Sequence, residues 1–105
     1  MAYNLIITDR ANDLIDERVL YIIEKLKNPS AAKHLLDGIS SVYDRLQDNP
    51  YQFPDSGDPV LSRRKYKEAL IPKMQYKMVF RIENETVYVV GFFHNLENYT
   101  SKVIE

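Results

Sequence analysis

The sequence predicts an α+β domain in which a helical hairpin covers one face of a mostly antiparallel four-stranded sheet, in the order βααβββα. Three observations carry this. Two adjacent segments repeat apolar residues every three or four positions, and beyond Pro59 the period falls to two. The later segments are also joined by connections of a few residues, which favour antiparallel hairpins. The 105 residues amount to one domain, 1–105, and an apolar fraction of 45% can bury a modest single core.

Residues 3–8 (YNLIIT) are a short apolar run rich in strand formers and predict the first strand. Thr8 offers a capping oxygen and Asp9 a charge suited to a helix start. Ala11, Leu14, Ile15, Val19, Ile22, Ile23 and Leu26 then form one apolar stripe, with Lys25 and Lys27 in the last turn. Asn28 caps the next helix and Pro29 takes its tolerated first position. Its stripe is Ala32, Leu35, Leu36, Ile39, Val42, Tyr43 and Leu46, and so short a junction makes the two helices antiparallel neighbours. His34 falls on the exposed side.

Residues 51–59 (YQFPDSGDP) are dense in turn formers and predict an irregular loop. Three strands follow, at 65–71 (KYKEALI), 76–82 (YKMVFRI) and 86–94 (TVYVVGFFH). In the middle one Tyr76, Met78, Phe80 and Ile82 alternate with Lys77, Val79 and Arg81, so one face should meet the helices and the other, largely basic, should meet water. The aromatic set Tyr76, Phe80, Tyr88 and Phe92 is assigned to the helix side. Asn95 caps a short final helix in which Leu96, Tyr99 and Val103 share a side.

Net charge is −1, yet residues 63–81 hold seven of the 14 Lys/Arg and a single acid, Glu68. The near-neutral total therefore conceals two opposite fields, and the basic one suits an anionic partner. Arg63, Arg64, Lys65, Lys67 and Lys73 are candidate substrate-binding cations there, with salt-sensitive phosphate contact as the expected behaviour. The plainer alternative is solvated charge that keeps a sheet soluble. Cysteine is absent, which excludes disulfides and thiolate metal sites and fits a reducing compartment. The sequence shows no leader and no apolar run near the ~18 residues of a membrane span, so a cytoplasmic protein without a membrane partner is expected.

Metal-independent RNA cleavage needs a base for the 2′-hydroxyl proton, an acid for the 5′-oxygen and cations for the charge on phosphorus. His94, Tyr99, Lys77 and Arg81 could supply these, with no metal and no cofactor. A structural histidine at a strand end and a tyrosine packing the final helix stand beside that reading.

The chain also resembles the RelE/ParE superfamily of toxins from bacterial type II toxin–antitoxin modules. The resemblance runs through Asp13-Leu14, Tyr21-Ile22, the junction Asn28-Pro29-Ser30-Ala31-Ala32, Asn49-Pro50, the block YKEALIPKMQYKMVFRI and the ending FFHNLENY. It implies a small antitoxin partner and one of two targets. RelE-like members cut messenger RNA on the ribosome; ParE-like members poison DNA gyrase without being nucleases. Under the first, Lys77 matches a third-strand arginine, Lys67 a second-strand lysine, Tyr99 the terminal tyrosine and His94 a histidine or arginine ending the last strand. Ala69 stands where better-studied nucleases carry a further lysine, which Lys73 could replace from the turn. The leading expectation is a ribosome-dependent mRNA endoribonuclease that inhibits translation. The alternatives are a gyrase inhibitor and a relative that only binds its antitoxin, and a homo-oligomer stays open.

Overall fold

A computed structural model describes residues 2–95 and Val103. Strand β1 (Asn4–Ile7) leads into helices α1 (Asp9–Glu24) and α2 (Pro29–Asp48). A single 3-10 turn (Pro50–Gln52) and a short helix α3 (Pro59–Arg63) follow, and then strands β2 (Lys67–Leu70), β3 (Tyr76–Glu83) and β4 (Thr86–His94). The sheet order is β1-β4-β3-β2. β1 runs parallel to β4, and the other two pairings are antiparallel. The predicted α+β architecture is therefore the observed one.

Local chemistry explains the helix ends. Thr8 Oγ1 accepts the Ala11 N–H at 3.2 Å, and Asn28 Oδ1 accepts that of Ala31 at 3.1 Å with Pro29 in the first turn. α1 stops earlier than predicted. Lys27 turns to φ 52°, which lets the Asn28 N–H reach back to the Ile22 carbonyl at 3.1 Å, a left-handed helix stop. Lys25 and Lys27 therefore follow the helix instead of forming its last turn.

The main core lies between the helical hairpin and the sheet. Ala11, Ile15 and Ile22 from α1 and Ala32, Leu35, Ile39, Val42 and Leu46 from α2 meet Met78, Phe80, Val87, Val89 and Phe92. Ile23, Leu26 and Leu36, predicted on the buried stripes, are instead exposed at 41%, 56% and 47%. The hairpin has only the sheet to cover it, so residues at the margin of each stripe stay in water. Gly38 lets α2 approach the β2–β3 turn, since a Cβ there would lie 2.7 Å from Ile71 Cγ2.

The opposite face is less polar than predicted. Leu61 of α3 caps Val79 and Phe93, and Val103, which is helical, packs on the same cluster. α3 is the element missing from the sequence reading of 51–59 as loop. Asp58 caps it, accepting the N–H groups of Val60 (2.8 Å) and Leu61 (3.2 Å), with Pro59 in its first turn. That is the same signal as Asn28-Pro29, overlooked because only five residues follow. Residues 96–102, which include Leu96 and Tyr99 of the expected final helix, lie outside the described residues, as do 104 and 105.

Pairing slips once. Val79 faces Gly91 but Phe80 faces Val89, so Val90 is an extra residue, a β-bulge in β4. Before it Val87 and Val89 point to the helices and Tyr88 points away. After it Phe92 and His94 point to the helices and Phe93 points away. Tyr88 thus leaves the helix-side aromatic set, and its ring instead lies under Arg81 at 4.4 Å.

Candidate functional site

Strand register separates the residues that sequence reasoning had grouped. Tyr76 pairs with His94, Met78 with Phe92 and Phe80 with Lys67, so all of these side chains share the helix side. Lys77 pairs with Phe93 and Leu70, and Arg81 with Tyr88, on the outer side. His94 and the two cations meant to work with it therefore stand on opposite faces of the sheet. The joint action that RNA cleavage would ask of His94, Lys77 and Arg81 has no common surface among the described residues.

On the outer face the cations have partners. Lys77 Nζ lies 3.7 Å from Glu68 Oε2, and both side chains are largely buried. Glu68 is the lone acid of the basic stretch, and β2 register sets it beside Val79, one residue pair from Lys77. Arg81 pairs with Glu83 and covers the Tyr88 ring. Half-buried charges in such pairs lose hydration that a phosphate would have to restore.

The remaining predicted cations scatter. Lys67 points to the helix side, where its ammonium donates to the Phe53 carbonyl (3.0 Å) and to Asp55 (3.1 Å) and closes the edge of the core. Lys65 lies before β2, with φ 66°, and is not a strand residue; it lines a small hollow with Lys67, Asp55 and Tyr51. Arg63 ends α3 and Arg64 caps it, both exposed. Lys73 is exposed in the β2–β3 turn with φ 62°. Tyr99 lies outside the described residues.

A larger cleft was not anticipated. About 490 Å³ opens between α1 and the end of β3 and β4, lined by Leu14, Glu17, Arg18, Tyr21, Tyr76, Phe92, Phe93 and His94. Arg18 holds its guanidinium 5.2 Å from the centroid of Tyr21 and 5.5 Å from that of Tyr76. Tyr76 stacks on Phe92 (5.2 Å, 21° between planes) and meets His94 edge to face (5.6 Å, 87°). The spacing Leu14-Arg18-Tyr21 places these three on one margin of α1, a signal present in the sequence but read only for its apolar member. Next to His94, the side-chain oxygen of Asn95 is buried without a hydrogen bond, and the helix it was expected to cap lies outside the described residues.

Elsewhere, burial pushes the Tyr43 hydroxyl up to about 12. Among the described residues no cluster of three His, Asp or Glu could hold a metal ion, and no helix is long and apolar enough to cross a membrane.

An antiparallel sheet with one parallel edge strand and a helical hairpin on a single face defines the class: an α+β fold in which two helices cover one side of a four-stranded sheet. Among solved structures it is similar to a chain described as the chromosomal ParDE TA system from P. aeruginosa. The two agree with a TM-score of 0.70 at 16% identity, over 89% of this chain and 96% of that one. No family description and no curated protein matches the sequence.

Proposed function

We propose that this chain is the toxin of a type II toxin–antitoxin pair, held by a small antitoxin, and that it arrests growth by binding its target in the ParE manner, with DNA gyrase as that target. The fold supports the toxin reading, since the similar chain comes from a ParDE toxin–antitoxin system. One observation carries the preference for binding over cleavage. The sheet stands between His94 and the pair Lys77 and Arg81, and both cations already face carboxylates. Stabilising charge on phosphorus requires cations aimed at one point beside the proton carrier, and this arrangement supports no such point among the described residues.

The test is expression of the wild type and of His94→Ala in cells, with transcript ends mapped and DNA breaks scored. Growth arrest with DNA damage, intact transcripts and little change in His94→Ala is the expected result. Ribosome-dependent transcript cuts that disappear in His94→Ala would overturn it in favour of the endoribonuclease. Co-expression with the product of a neighbouring short reading frame should relieve the arrest and yield a stable complex.

A further inference from the structure

We propose that the cleft between α1 and β4 is a docking pocket for an acidic peptide segment, in which Arg18 takes one carboxylate and Tyr76 and Phe92 receive the apolar or aromatic side chain beside it. Nothing in this inference depends on the toxin reading.

Arg18 is the starting point. Lys67, Lys77 and Arg81 each face a carboxylate. Among the described residues none lies within ion-pair distance of Arg18, whose contacts are the two tyrosine rings. Ring contacts use none of a guanidinium's N–H donors, which bind a carboxylate through two parallel hydrogen bonds. Contact with two rings also restricts the side chain, so less freedom is lost when the anion arrives. Glu17 lines the same cleft. Its charge disfavours a polyacidic or polyphosphate ligand and limits the occupant to an isolated carboxylate.

The rest of the cleft suits a peptide more than a free acid. Tyr76, Phe92 and Leu14 make an apolar wall, and the volume lies within the ordinary range for ligand sites. The backbone adds a further feature. The Asn95 N–H donates to the Gln75 carbonyl at 2.9 Å, so the alternating ladder turns the N–H and C=O of Phe92 away from β3. β1 ends at Ile7, opposite Val89, and among the described residues no strand pairs with Phe92 on that side. An extended peptide can use that edge while its side chains enter the cleft.

The experiment uses the full chain labelled for NMR and titrated with the capped dipeptide acetyl-Asp-Phe-amide. Saturable shifts at Arg18 Nε, Tyr76, Phe92 and His94 are expected. The uncharged analogue acetyl-Asn-Phe-amide should bind about tenfold more weakly, the scale of one charge-assisted contact. Arg18→Gln should lose the same factor with an otherwise unchanged amide spectrum, and Arg18→Lys, which keeps the charge but not the planar fork, should fall between. Equal binding of the charged and uncharged dipeptides, or full binding by Arg18→Gln, would overturn the proposal. So would saturation by hydrocinnamate with no response to the dipeptide, which would indicate a small aromatic acid.

Discussion

The two faces of the sheet are closed by different means. On one, two long helices lay a continuous set of aliphatic side chains over Met78, Phe80, Val87, Val89 and Phe92. On the other, the five residues of α3 supply Leu61, while Tyr66, Val90 and Val103 add contacts to Val79 and Phe93, and further along the strands the cover is ion pairs and the Tyr88 ring. Apolar area removed from water is large on the first face and small on the second, so the first should dominate stability. The second face also owes its cations to the sheet, because Glu68 and Glu83 neutralise them in place. A concentration of positive charge along the sequence has become a set of local pairs in space.

Substitutions can break this comparison. The largest effect is expected for Phe80→Ala, which removes a fully buried ring from the main core and should cost about 4 kcal/mol, read by denaturant unfolding. Phe93→Ala in the smaller cluster should cost about 1 kcal/mol less; an equal or greater loss would show that the outer face matters as much. Next comes Gly91→Ala. A Cβ there would lie 2.3 Å from the Phe93 ring, so a loss of about 2 kcal/mol is expected, with part of it recovered in a Gly91→Ala, Phe93→Leu double variant.

The ion pairs should rank by burial. Lys77→Met takes the ammonium away from the largely buried Glu68 carboxylate and should cost about 1–2 kcal/mol, while Arg81→Met, at a more exposed pair, should cost less than about 1 kcal/mol. A double-mutant cycle with Glu68→Gln checks that the Lys77 loss comes from the pair. Reversal of the ranking would mean that Arg81 on Tyr88 is the stronger contact.

The smallest effect belongs to the helix side. Tyr43 keeps its proton in the folded chain up to about 12, against 10.0 for the free group. That preference stabilises the fold fully below pH 10 and is lost as pH rises from 10 towards 12, because only the unfolded chain then ionises. Alkaline destabilisation should therefore be gentler in Tyr43→Phe, by about 1 kcal/mol after allowance for the partial exposure of the ring.

Most of the fold was legible because its signals are local. Thr8, Asn28-Pro29 and the two apolar stripes act within a few residues, and each predicted element that they mark is present. Asp58-Pro59 carries the same information for α3, but no apolar stripe follows it to mark a helix. The candidate site was far less legible. Alternation along β4 holds until Val90, and one extra residue there moves Tyr88 and His94 to opposite faces although their numbers differ by an even count. Lys67 belongs with Lys77 to one basic stretch of the sequence, whereas the pairing with Phe80 sends it to the helix side.

What the chain determined by itself is where helices and strands begin, which stripe of each is apolar, and that positive charge concentrates between Arg63 and Arg81. Capping, propensity and periodicity are short-range, so a linear reading captures them. Only the tertiary structure decided which carboxylate meets which cation, which face His94 occupies and that Arg18 lies against two tyrosine rings in the lining of a cleft. Those outcomes depend on register between strands distant in sequence, and a shift of a single residue exchanges one face of a strand for the other.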